Sequence, residues 1–158
     1  MRRDYFELAV EHIDWVETDD APEKPTVKID FYGPAELLQQ RLSDVDGALL
    51  DAKQTDVAFR LQEPLDENPE APGVVSVTNR ITGDFVLELN EDADDVLKFI
   101  RAAREYGEAS GDDDGQYRVE LYIEGEPLVT YEKTTFLVYN ADGDLLRRQS
   151  LIPSGVEL

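Results

Sequence analysis

Carboxylates outnumber cationic side chains 36 to 15, a formal net charge of -21 at pH 7, and that surplus restricts the fold more than any motif does. Charged groups are almost never fully buried unless paired. A core must therefore come from segments in which apolar residues recur on one face while the acids point away. The chain has the material, because 41% of it is hydrophobic, with six Phe, seven Tyr and one Trp. Disordered acidic chains lack such aromatic and β-branched alternation, so this one is expected to fold. Its cations are ten Arg and only five Lys. In dilute buffer this charge density repels itself across the compact state, whereas about 1 M salt shrinks the screening length to about 3 Å. The composition points to the cytoplasm of an extreme halophile.

Period-two alternation places strands at Val27, Ile29 and Phe31, at Val57, Phe59 and Leu61, and across a hairpin from Val74–Asn79 to Phe85–Leu89. Residues 5–16 read as extended, with a change of phase near His12, and a closing meander reads as strands near 117–123, 128–132, 134–139 and 145–152. Turns fall at Glu124-Gly125-Glu126 and at Asn140 to Asp144. Pro34 opens a short helix bearing Leu37, Leu38 and Leu42. Asn90 offers an N-cap to a longer helix ending at Gly107, with Ala93, Val96, Leu97, Ile100 and Ala103 on its apolar face. The expected fold is α+β over residues 1–158, a single domain with a largely antiparallel sheet and two helices packed on it. A shift of 58 residues superposes the patterns of 1–62 and 74–152, which suggests a ββαββ pseudo-repeat.

Most chemistries are missing their residues. There is no cysteine, hence no disulfide, thiolate nucleophile or Cys-type zinc site. His12 is the only histidine, no nucleophile elbow surrounds a serine, and no glycine-rich phosphate motif occurs. Neither Asp-rich loop has the ligand spacing of an EF-hand, so no metal and no cofactor is assigned. Nucleic acid is an improbable partner, because its binding rests on Lys and Arg neutralising phosphates; it would require Arg2, Arg3, Arg80 and Arg118 to converge. Arg101 and Arg104 pair most simply with acids of their own helix. No apolar run reaches 18 residues, so no membrane span is expected.

Residues 131–158 are the least acidic stretch, which marks either interior or interface. The favoured reading is a non-catalytic protein-binding or assembly module, joining another protein or a second copy of itself. Its anchors would be Phe136, Tyr139, Leu151, Ile152, Val156 and Leu158. The alternative is a small-ligand binder or enzyme with a pocket near Asn79, Arg80 and Asp84, where Arg80 would clamp a carboxylate or phosphate.

Four segments carry a resemblance: Trp15-Val16, Thr78 to Phe85, Tyr131 to Tyr139, and the tail Ser150-Leu151-Ile152-Pro153-Ser154-Gly155-Val156-Glu157-Leu158. In these the chain resembles a family of short, acidic haloarchaeal proteins to which no activity is assigned. The resemblance implies a haloarchaeal, cytosolic origin and transfers no functional residue. If the acids are an adaptation to brine, the far-UV circular dichroism signal will collapse on dialysis into low-salt buffer and return in molar KCl. An equally heat-resistant fold without electrolyte would refute that reading.

Overall fold

The computed structural model describes residues 5–18, 20–111 and 114–153. Alternating burial builds eight strands among these residues, arranged as two four-stranded sheets. The first sheet has the order β1 (Phe6–Glu11), β2 (Thr26–Phe31), β6 (Tyr117–Ile123), β7 (Glu126–Lys133). The second has β5 (Phe85–Asp92), β4 (Pro72–Asn79), β3 (Thr55–Leu61), β8 (Leu137–Tyr139). Pairing is antiparallel except β2 with β6 and β3 with β8, which are parallel. The α+β expectation is met, with two sheets where one was expected.

The inward rows of both sheets meet in one core that includes Ile29 and Phe31 of β2, Val57 and Phe59 of β3, Leu87 and Leu89 of β5, and Val119 and Leu121 of β6. Helix α3 (Ala93–Ala109) joins this core through Val96, Phe99, Ile100 and Ala103, spaced three and four apart as a helix face requires. Phe99, Tyr117 and Phe136 stack edge-on or tilted at centroid separations of 5.5 to 6.4 Å, joining α3, β6 and the approach to β8. Two shorter helices, α1 (Trp15–Thr18) and α2 (Ala35–Arg41), complete the helical set among the described residues.

Several boundaries differ from the sequence expectation. The N-terminal strand stops at Glu11, because His12 adopts φ 66° and Trp15 Nε1 donates to its carbonyl, coiling the chain into α1. Helix α3 starts after Asp92 rather than Asn90, since β5 runs on to Asp92. It also passes through Gly107, which is buried; a Cβ there would lie 2.1 Å from the carbonyl oxygen of Asp114. Close approach, not helix termination, is what this glycine serves.

Residues 145–152 form no strand. Leu145 and Leu151 make single bridges to Tyr139 and Phe136, and Ser150 Oγ donates to the Leu146 carbonyl while accepting from the Val138 amide. The segment thus wraps the edge of the second sheet, and Arg104 fastens it by donating to the carbonyls of Arg148 and Ser150. The 58-residue repeat is also not followed by the pairing. β3 lies antiparallel beside β4, the first strand of its hairpin, whereas β6 lies parallel beside β2, the second strand of the other pair.

The chain crosses from β7 to β8 by leaving one sheet for the other, and buried polar side chains fix the crossing. Lys133, only 6% exposed, donates from Nζ to the carbonyls of Ala52 and Thr55, each at 2.6 Å. Tyr131 donates to the Leu50 carbonyl at 2.8 Å, and Tyr117 to that of Thr135 at 2.6 Å. Ala52–Gln54 is a single 3₁₀ turn leading into β3, closed by reciprocal side-chain bonds between Asp51 and Gln54.

Burial lowers the Lys133 pKa from 10.5 to about 8 and raises that of Tyr131 to about 12. From about pH 8 upward the unfolded chain holds the Lys133 proton that the fold has shed, so stability rises with pH until, above about 10, unfolded tyrosines deprotonate first. Denaturant titrations should show this rise, and Lys133→Met should flatten it. Gly107→Ala should lower stability by about 2 kcal/mol through overpacking, despite alanine's helix preference of about 1 kcal/mol. A more stable Ala variant would contradict the contact with Asp114.

Candidate functional site

The two sheets present different outer faces. On the first, charges pair across strands: Lys28 with Glu11 at 3.2 Å, Arg118 with Glu132 at 2.7 Å, and Lys24 with Glu132. Those partners raise the Arg118 pKa and lower that of Glu132. On the second, Ala58, Val74, Ser76 and Thr78 are half-buried with Leu137 and Tyr139 beside them, and Asp56, Arg60 and Glu88 share the face. Phe85 of β5 stands at its border, half exposed.

Beyond Phe85 the surface deepens into a groove of ≈ 770 Å³ between α2 with its following turn and the β4–β5 hairpin. Local chemistry shapes both walls. In the turn after α2, the Asp44 carboxylate accepts from the amides of Asp46 and Ala48, and this arrangement presents Val45 at 98% exposure. In the hairpin, Asn79 Oδ1 accepts from the amides of Ile81 and Thr82, Gly83 takes φ 79°, and Ile81 stands 68% exposed. Arg41 closes the floor by donating to the Phe85 carbonyl at 3.1 Å. Three of the largest exposed apolar side chains, Val45, Ile81 and Phe85, therefore line one groove.

The polar groups here hold the loops in shape. Asn79 is buried and bonded within its hairpin, Ser43 donates to the Gln39 carbonyl, and Thr82 accepts from the Asp84 amide. Of the pocket expected from sequence, Asn79 and Asp84 line the groove, but Arg80 turns away to Asp56, with Nη2 at 2.6 Å and Nε at 2.9 Å. The three do not converge on one ligand. Arg80 and Arg118 are each committed to a carboxylate on different sheets, so they form no common cationic surface.

The expected C-terminal anchors also divide. Phe136 and Leu151, 4% and 3% exposed, are core, paired with each other through both backbone bonds. Their burial answers why the last segment carries so few acids. Tyr139 lies on the open face of the second sheet and Ile152 is half-buried, while Val156 and Leu158 lie outside the described residues. Val45, Ile81 and Phe85 were missed as a group, although Ile81 and Phe85 flank a turn and so carried the signal of apolar residues where turns are normally polar.

Elsewhere, exposed His12 sits between Glu23 at 2.9 Å and Glu11 at 3.6 Å. Arg101 pairs with Glu105 one turn on, as expected, but Arg104 does not pair with its helix. The carboxylates of Asp92, Asp94 and Asp95 cluster within 4.8 Å, all exposed at the start of α3, where negative charge complements the helix dipole. No helix among the described residues is long and apolar enough to cross a membrane.

A two-sheet α+β protein with a groove at one hairpin that holds Val45, Ile81 and Phe85 among polar residues is the class that fold and surface define. The chain belongs to DUF5793, a family of unknown function, which it matches over residues 1–158. Comparison with curated proteins and with solved structures gives no match.

Proposed function

We propose that this protein is a non-catalytic protein-binding module that receives an apolar, basic-flanked segment of another protein in the groove between α2 and the β4–β5 hairpin. The observation that carries the reading is the gathering of Val45, Ile81 and Phe85 on one concave surface of a chain that otherwise coats itself with carboxylates. Aromatic and aliphatic anchors in a depression, ringed by polar groups, are the anatomy of a binding hot spot. The rim supplies the specificity: Asp44, Asp84 and Glu88 surround the groove and Arg41 is its only cation among the described residues. A partner segment with Lys or Arg beside its apolar residues is complementary to that rim. A second copy, carrying the same acidic rim, would set carboxylate directly against carboxylate. The setting we propose is a brine-adapted cytoplasm, where apolar contact outlasts screened charge.

The test is a panel of labelled apolar peptides flanked by Lys, by Glu or by Ser, titrated against the full chain and read by fluorescence anisotropy. Lys-flanked peptides should bind best. Phe85→Ala and Ile81→Ser, both at exposed positions, should each weaken that binding about tenfold or more while leaving the thermal midpoint unchanged. Indifference to the flanks, insensitivity to both substitutions, or concentration-dependent self-association through the same residues would each defeat the proposal.

A further inference from the structure

Two open sheets leave an edge strand at each end, and an uncovered edge is a template for further pairing. Three of these edges are blunted. The segment after β8 bridges Phe136 and Tyr139, and Arg41 of α2 donates to the Phe85 carbonyl of β5. β7 carries Pro127, and its Tyr131 and Lys133 are tied to the carbonyls of Leu50, Ala52 and Thr55. β1 is the exception. Phe6–Glu11 contains no proline, glycine or lysine, and among the described residues no hydrogen bond reaches its outer backbone.

One bond fixes which groups are free. Tyr32 donates to the Tyr5 carbonyl at 2.7 Å, so in the antiparallel ladder Tyr5, Glu7, Ala9 and Glu11 turn their backbone groups to β2. The amides and carbonyls of Phe6, Leu8 and Val10 therefore face outward. Their side chains form the inner apolar row, which is buried at Phe6 but 41% exposed by Val10. Glu7, Ala9 and Glu11 form the outer row, opposite Asp30, Lys28 and Thr26 of β2.

A second copy related by a two-fold axis pairs with this edge antiparallel, and only registers that set Phe6, Leu8 and Val10 against one another use the free groups. Like charges directly opposite destabilise such a pair. Centring the axis on Glu7 sets Glu7 against itself, and centring it on Ala9 sets Glu7 against Glu11. Centring it on Leu8 opposes no two acids: Glu7 meets Ala9, Glu11 meets Tyr5, and Phe6 meets Val10 in one apolar row. Lys28 lies beside Ala9 and bonds Glu11 at 3.2 Å, so this register brings Glu7 of the second copy to it across a small side chain.

We propose that β1 is the interface of a symmetric homodimer in which the first sheets of two copies join into one continuous sheet, with Leu8 at the two-fold axis. The surface is separate from the groove at Phe85 and stands or falls independently of it. Each copy bears a net charge of -21, so association should strengthen with salt.

Sedimentation equilibrium of the full chain in molar KCl, from micromolar to millimolar, tests the assignment. A monomer–dimer equilibrium is expected. Ala9→Glu places a carboxylate beside Lys28 of its own copy but against Glu7 of the other, so it should weaken dimerisation about tenfold while leaving the thermal midpoint of the dilute monomer unchanged. Adding Glu7→Lys to that variant should restore the dimer, because this register then opposes unlike charges. A chain that stays monomeric, a dimer indifferent to Ala9→Glu, no rescue by Glu7→Lys, or a dimer lost with Phe85→Ala instead would each overturn the interface.

Discussion

The ammonium of Lys133, drawn out of water between the carbonyls of Ala52 and Thr55, is the interaction on which the joining of the two sheets depends. Lys133 belongs to β7, the edge of the first sheet, and its acceptors lead into β3 of the second. Hydrogen bonds to a charged donor contribute about 1.5–3 kcal/mol each, and a buried carbonyl left without a donor costs about 1–3. The two hydrogen bonds therefore fix the geometry of the crossing, while burial makes the charge itself costly and depresses the Lys133 pKa. Tyr131 and Tyr117 extend the same seam, and Phe99 and Phe136 pack against Tyr117 beside it. Apolar burial holds the layers together without direction; these polar contacts set which backbone meets which.

Once the layers are joined, the distribution of charge follows. The first sheet spends its cations on its outer face, where exposed ion pairs are worth about 0–1 kcal/mol and less in salt. Their effect is to keep a long, accessible face polar. The second sheet has a wrapped edge, since the segment after β8 bridges Phe136 and Tyr139, and a middle of small neutral residues. Phe85 joins that face to the groove beside α2. The two outer faces thus differ, one crossed by ion pairs and the other carrying small neutral residues among Asp56, Arg60 and Glu88. In a chain so rich in carboxylates, the exceptions carry more information than the rule.

Much of this was legible in sequence. Alternation located β2, β3, β4 and β5 closely, and the tight turn between β6 and β7 falls at Glu124-Gly125, both with positive φ. Asn79 and Asp84 lie at the hairpin turn, where turn residues announce themselves. Arg80 was misplaced because alternation assigns a side to a strand residue but cannot say that Asp56 waits on the neighbouring strand. Low acidity marks interior and interface alike, so it does not say on which side Phe136 and Leu151 fall.

By itself, the sequence determined the α+β class, the positions of most strands, the lack of cysteine and of the glycine-rich phosphate motifs, and a large surplus of carboxylates. Those properties rest on local periodicity and on the free energy of solvating charge, both of which operate within a few residues. Only the tertiary structure decided that the strands divide into two sheets, that Lys133 turns inward, and that Val45, Ile81 and Phe85 share a groove. Each of these is a meeting of segments distant in the chain. The pairing is fixed by which buried donors find acceptors and which apolar faces cover one another, and no local pattern encodes that choice.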